Sequence, residues 1–320
     1  MNKRLLSVCL VLFSSAVSVS VSHAQPQEVI DCFEERTFQY TGGKYQDAEV
    51  KYRLHTPETI HYGRKYPLVV HLHGLGEAGS DNTSSLIHLQ AILPVLTGPK
   101  RQDFFMLVVQ CPTETPNWYF QPSTKDGTFD VLMAVMEHVI AENPIDKKRI
   151  TATGISSGGW GMWTLISKYP DMFAGAVPTA CGTPHQSQWQ RTPTQMQTPI
   201  WIFTNKGDVL VPPPETIREA VRDINASGGA MAFSEANGFG HNAWIPAMET
   251  YDTLRWMLAQ RKGSWIAPPP GNVIHQPYPP LITFVLHVLP LALITFLIGG
   301  TIWKRISSAF QSAREWIVGG

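Results

Sequence analysis

The residues that could do chemistry begin with a serine. Gly154-Ile155-Ser156-Ser157-Gly158 sets Ser156 between glycines two before and two after it. Ahead of it, Ile150, Ala152 and Gly154 alternate with Thr151, Thr153 and Ile155, a short uncharged run that fits a buried strand. Behind it, Trp160, Met162, Trp163, Leu165 and Ile166 recur at helical spacing until Tyr169-Pro170. A G-x-S-x-G motif on such a strand-to-helix corner needs its glycines, because the turn is sharp and the backbone crowds itself. The corner pushes Ser156 out of the sheet, at a helix N-terminus whose free N–H groups suit a developing anion. The chemistry implied is attack of a serine oxygen on a carbonyl.

A serine hydroxyl is a poor nucleophile at neutral pH, so it needs a base, and the base needs an orienting acid. With this elbow the chain order is serine, acid, histidine. Asp208 lies in Asn205-Lys206-Gly207-Asp208, a turn just after the apolar run Ile200-Trp201-Ile202-Phe203. His241 lies in Gly238-Phe239-Gly240-His241-Asn242, after a weaker run at 230–233. His185 precedes this acid, and His275 and His287 fall outside the folded unit, so the order selects His241. The oxyanion needs two N–H groups aimed at one point. Ser157 supplies one as the residue after the nucleophile, and Leu75, after His73-Gly74, is placed to supply the other. Trp118, Trp160 and Trp244 are candidates to line the cleft, with core packing as the alternative for each. His71 and His73, at i and i+2, would suit a metal, but no third ligand is evident nearby. No metal and no organic cofactor is expected.

These residues need elements to hold them. Residues 36–55 alternate weakly around Gly42-Gly43 and predict an antiparallel hairpin at a sheet edge. Buried strands are predicted at 67–72, 104–110, up to Ile155, at 173–180 and at 199–203, with a weaker one at 230–233. Helices are predicted over 130–142, after Ser156, at about 215–226 and over 246–260. The alternating order implies an α/β fold, a mainly parallel sheet with helices on both faces. At 320 residues and 43% hydrophobic, the chain has enough for one large domain plus appendages. Lys and Arg balance Asp and Glu at 25 each, so no basic surplus points to nucleic acid. Cys32, Cys111 and Cys181 remain beyond the leader, which allows one disulfide and a free thiol, or three buried thiols.

The appendages are legible at both ends. Residues 1–24 read as a secretory signal: Lys3 and Arg4, an apolar run from Leu5 to Phe13, then Ser22-His23-Ala24. The catalytic unit is predicted over 25–262. Residues 263–280 hold six prolines and no acidic or basic side chain apart from His275, the mark of a stiff linker. Leu281 to Trp303 is free of Asp, Glu, Lys and Arg for 23 residues, long enough to span a bilayer. Lys304 and Arg305 follow, which puts residues 304–320 in the cytoplasm and the large domain outside. The expected location is the cytoplasmic membrane, with the catalytic side facing out.

Six blocks carry a family resemblance: YPLVVHLHGLGEAGSDN (66–82), VVQCP (108–112), RITATGISSGGWGMW (149–163), YPDMFAGAVPTACG (169–182), IWIFTNKGDVLVP (200–212) and GHNAW (240–244). In this order they resemble α/β-hydrolase esterases of the predicted-peptidase and phospholipase/carboxylesterase type. These are related to secreted feruloyl-esterase-like and polyhydroxybutyrate-depolymerase-like enzymes. The resemblance implies Ser156, Asp208 and His241 as the catalytic residues and does not reach the C-terminal apolar stretch. Ser157 stands where the family often has Met, Asn205-Lys206 where His-Gly is usual, and Ala78 where an Arg follows the Glu. The expected activity is hydrolysis of a small-molecule or polymer-linked ester. A serine peptidase of the prolyl-oligopeptidase-like clan and a catalytically silent binding module are the alternatives. Residues 183–198, with five glutamines, are the expected cap over the site.

Overall fold

The computed structural model describes residues 26–43, 45–111, 128–183, 198–249, 251–270 and 273–274. Helix α1 (Pro26–Ile30) leads into the antiparallel hairpin β1 (Glu34–Gly42) and β2 (Tyr45–His55). Then come β3 (Tyr66–Leu72), a run of short 3-10 turns, α2 (Leu93–Leu96) and β4 (Phe105–Val109). Helix α3 (Thr128–Glu142), β5 (Ile145–Ile155), α4 (Ser157–Lys168), β6 (Gly175–Thr179) and β7 (Ile200–Gly207) follow. The chain continues through α5 (Pro214–Ala226), β8 (Met231–Phe239), α6 (Trp244–Glu249), α7 (Tyr251–Ala259) and a two-residue β9 (Val273–Ile274). The sheet order is β1-β2-β4-β3-β5-β6-β7-β8-β9. Only the pairings of β2 with β1 and β4 are antiparallel.

Alternation along the central strands builds two cores. Leu68, Val70 and Leu72 of β3 face Leu132, Val135 and Met136 of α3, Leu165 and Ile166 of α4, and Ile217 of α5. Val69 of β3 and Met106 and Val108 of β4 face Val95 of α2, Met248 of α6, and Leu254 and Met257 of α7. Strands buried on both faces need near-continuous apolar runs, and these strands have them. The expected parallel α/β architecture is therefore present, with the hairpin at one edge.

Several boundaries differ from the sequence expectation. β8 runs on to Phe239, beyond the expected 233, and stays paired with β7 through Asn205 before a register shift at Gly207. The helix expected over 246–260 is two helices, which begin at Trp244 and Tyr251. Cys32, Cys111 and Cys181 are free thiols, the last two buried. The first part of the proline-rich segment lies against the body. The Trp256 indole N–H donates to the Ile266 carbonyl at 3.1 Å, and the Gln260 side chain brackets Ile266 with bonds of 2.9 and 3.1 Å. β9 then pairs with β8 through Glu235↔Val273 and Ala236↔Ile274. The expected signal segment, the glutamine-rich cap and the apolar stretch at 281–303 lie outside the described residues. Among the described residues, no helix is long and apolar enough to cross a membrane.

Candidate active site

Leu75, Ser156, Ser157, Asp208 and His241 follow the C-terminal ends of the parallel strands β3, β5, β7 and β8, at one end of the sheet. Ser156 follows β5 with φ 53° and ψ −115°, a left-handed conformation that a non-glycine residue holds only under constraint. The constraint is visible. The Ser156 N–H donates to the Thr179 carbonyl at 2.9 Å, and the Thr179 hydroxyl donates to the Gly154 carbonyl at 2.9 Å. A Cβ on Gly158 would lie 2.1 Å from the Leu72 carbonyl oxygen, and one on Gly154 would lie 2.4 Å from the Gly158 carbonyl oxygen. Both flanking glycines are therefore required by close backbone approach.

His241 and Asp208 meet this serine. His241 Nε2 lies 2.7 Å from Ser156 Oγ, and Nδ1 lies 2.7 Å from Asp208 Oδ2. The Asp208 side chain is wholly buried, and its Oδ1 accepts the Leu210 N–H at 2.9 Å. An ionised carboxylate only accepts, so it fixes the proton on Nδ1 and leaves Nε2 to accept from Ser156. The loop that carries His241 is fastened by Asn205, whose amide donates to the Gly240 carbonyl at 2.8 Å and to the Asn242 side chain. In the sequence Asn205 stands out only as part of the Asn205-Lys206-Gly207-Asp208 turn and as a departure from the family's His-Gly, and nothing in its spacing announces this contact.

Leu75 and Ser157 each begin a helical turn, so neither N–H has an acceptor within its own turn. His73 holds the Leu75 loop. Its Nδ1 lies 2.6 Å from the Gly74 carbonyl oxygen, and its Nε2 accepts the Cys111 N–H at 2.9 Å. Burial lowers the His73 pKa, which keeps the ring neutral, as its accepting nitrogen requires. Gln110 clamps the same loop: its amide donates to the Glu77 carbonyl at 3.0 Å and its oxygen accepts the Asn82 N–H at 2.7 Å. Asp81 caps the next turn by accepting the Thr83 and Ser84 N–H groups at 2.7 and 2.8 Å. The sequence pattern Ser80-Asp81-Asn82-Thr83 is the turn signal that could have found Asp81.

The expected tryptophans separate. Trp118 lies outside the described residues. Trp160 is half-buried on α4, and its ring packs over Gly182. Trp244 is 9% exposed and meets His241 edge to face, with centroids 5.9 Å apart. His71, the other half of the i, i+2 pair, is buried with neither ring nitrogen hydrogen-bonded, and burial lowers its pKa to about 3. Among the described residues, no three His, Cys, Asp or Glu side chains gather as metal ligands would. A groove of about 680 Å³ lies elsewhere, between α5, β8 and residues 265–270, and none of the residues around Ser156 lines it.

Comparison with known proteins fits this geometry. The prolyl oligopeptidase family matches residues 117–208, a minor part of the chain. The poly(3-hydroxyalkanoate) depolymerase C of Paucimonas lemoignei is 32% identical over 68 residues, 21% of this chain and 16% of that protein. A thermostable esterase of known structure superposes with a TM-score of 0.60 at 29% identity, over 73% of this chain and 64% of that one. The acylaminoacyl peptidase of Pyrococcus horikoshii superposes at 0.53 with 16% identity, over 74% of this chain and 43% of that one, a likeness of fold alone. The chain thus spans less than two thirds of the length of each of these relatives. The fold is that of α/β hydrolases, and the chain is similar to serine hydrolases of that fold, with esterases among them.

Proposed function

We propose that this chain is a carboxylic ester hydrolase that acts through Ser156, His241 and Asp208. The observation that carries the reading is the unbroken hydrogen-bonded run from Ser156 Oγ through His241 to Asp208, at 2.7 Å in each step. His241 Nε2 takes the hydroxyl proton as Ser156 Oγ bonds to the ester carbonyl carbon. The carbonyl π electrons move to oxygen, and the Leu75 and Ser157 N–H groups receive that anion. The anion collapses, the C–O bond to the alcohol breaks, and His241 returns the proton to the leaving alkoxide. Water then repeats the sequence on the acyl-enzyme, with His241 again as base. Asp208 holds the imidazole tautomer and stabilises the imidazolium. No step needs a metal or an organic cofactor.

Exposed apolar side chains favour an ester with a hydrophobic part. Leu75 is 52% exposed and Val209, next to Asp208, is 92% exposed, both on loops of the site. The depolymerase likeness favours a polymer-linked ester among the possibilities. The prolyl oligopeptidase match favours a peptidase as the second reading. A panel of p-nitrophenyl esters and aminoacyl p-nitroanilides separates them. Ester turnover above amide turnover by about a hundredfold in kcat/KM is expected, and the reverse order would replace the esterase reading.

The proposal extends to location. Residues 1–24 direct export, and residues 281–303 hold the enzyme in the cytoplasmic membrane with its site outside. Full-length protein should stay with membranes through carbonate washing and be open to protease added from outside. Release by carbonate would remove the anchor from the account.

A further inference from the structure

Behind His241 runs a set of side chains that the triad does not use. Trp244, in the first turn of α6, meets His241 with ring planes at 85°. On Trp244 lies the ring of His88, with centroids 4.7 Å apart. His88 Nε2 is 3.3 Å from Glu77 Oε1. Glu77 closes the turn Leu75–Glu77, so it belongs to the loop that carries the Leu75 N–H. Its other carboxylate oxygen, Oε2, lies beside Gly74, where a Cβ would come within 2.6 Å of it.

We propose that Glu77, His88 and Trp244 are positioning residues, a strut that fixes the His241 ring relative to the Leu75 N–H. The proposal rests on the catalytic reading of Ser156, His241 and Asp208. The need for a strut follows from the topology. The Leu75 loop leaves β3 and the His241 loop leaves β8, and β5, β6 and β7 stand between them in the sheet. The backbone ladder therefore couples the two loops only through three intervening strands. The base and the oxyanion donor must nonetheless act on one carbonyl, and an error of about 1 Å in such an arrangement lowers the rate about a hundredfold.

Charge and burial support a fixed strut. Burial pushes the Glu77 carboxyl up, but its interactions with His88, with His73 and with the Gly74 backbone outweigh that and leave its pKa below the ordinary value. The carboxylate is thus ionised where it meets His88. Trp244 is 9% exposed, and its ring contacts both the His241 and the His88 imidazoles. Its contact works on His241, not on the ester.

The test uses the full-length protein and four variants: Trp244→Leu, Trp244→Phe, Glu77→Gln and the double variant Glu77→Gln/Trp244→Leu. Trp244→Leu should lower kcat on a short p-nitrophenyl ester about ten- to a hundredfold with KM within about twofold, and Trp244→Phe should restore most of it. Glu77→Gln should lower kcat about fivefold alone and under about twofold in the Trp244→Leu background, because the strut is already broken there. Circular dichroism checks folding. If Trp244→Leu does not fold, Glu77→Gln, His88→Ala and their double variant carry the same comparison, because both break the same strut. Unchanged kcat in Glu77→Gln, a loss confined to KM, or full multiplication of the two effects overturns the strut. Fluorophosphonate labelling separates the two layers of the account. Wild-type protein labelled at Ser156, with variants labelled at the same rate, defeats the strut alone. Wild-type protein not labelled at Ser156 defeats the catalytic reading and the strut with it.

Discussion

Asp208→Asn isolates the orienting acid with little change of shape. The wild-type carboxylate accepts the Leu210 N–H at 2.9 Å on one oxygen and His241 Nδ1 at 2.7 Å on the other. An asparagine keeps its carbonyl oxygen for Leu210 and turns its NH₂ toward His241. Nδ1 must then accept, so the imidazole proton moves to Nε2, where it faces Ser156 Oγ and cannot be traded for the hydroxyl proton. The imidazolium of the transition state also loses a buried anion, and a hydrogen bond to a charged group is worth about 1.5–3 kcal/mol. Tautomer and charge together amount to about 4 kcal/mol, or about a thousandfold in kcat. The assay is kcat on a short p-nitrophenyl ester, with Tm measured on the same preparation. Tm should move little, because the amide fills the same volume and keeps its bond to Leu210. A folded Asp208→Asn protein within about tenfold of wild-type kcat would refute the assignment of this acid.

Three further outcomes follow from particular contacts. Gly158→Ala puts a Cβ 2.1 Å from the Leu72 carbonyl oxygen and 2.6 Å from that of His73, both backbone atoms. Activity should vanish and stability should drop by about 3 kcal/mol or more in urea titrations, and an active, stable protein would contradict the described elbow. For His71 the folded pKa of about 3 lies below the unfolded 6.5, so its contribution is full above pH 6.5 and is lost as pH falls toward 3. The unfolding free energy of wild type should then fall faster on acidification than that of His71→Leu, by up to about 1.4 kcal/mol per pH unit, and parallel curves from pH 7 to 5 would count against it. A chain ended after residue 262 deprives Trp256 of Ile266 and Ala267 and Gln260 of Ile266, so it should melt about 5–10 °C below one ended after residue 274. Equal melting would show that this strap adds nothing.

Much of this arrangement is legible in residue types, for identifiable reasons. The elbow announces itself because two glycines are forced by backbone contact and the flanking apolar periods differ, two before Ser156 and about 3.6 after it. Asp208 and His241 are found by chain order, since each follows a strand strong enough to see. What escapes the sequence is set by side chains that reach across the fold. Gln110 reaches Glu77 and Asn82, and Asn205 reaches Gly240 and Asn242, and no local pattern marks either. β8 continues through Ala236-Asn237-Gly238 because pairing with β7 outweighs the turn preference of Asn-Gly. β9 hides in a proline-rich segment because two paired residues are too few to give a period. The positive φ of Ala180, 49°, has no signal either, since nothing in the residue type favours it.

The central claim is that Ser156 is the nucleophile, and the most direct measurement is the site of a covalent adduct. Wild-type protein treated with a fluorophosphonate, digested and mapped by mass spectrometry should carry one adduct, on the peptide containing Gly154-Ile155-Ser156-Ser157-Gly158. Ser156→Ala should carry none and should lose ester turnover by about five orders of magnitude while it melts like wild type. An adduct on another residue, or a Ser156→Ala protein that still turns over ester at the wild-type rate, would contradict the account.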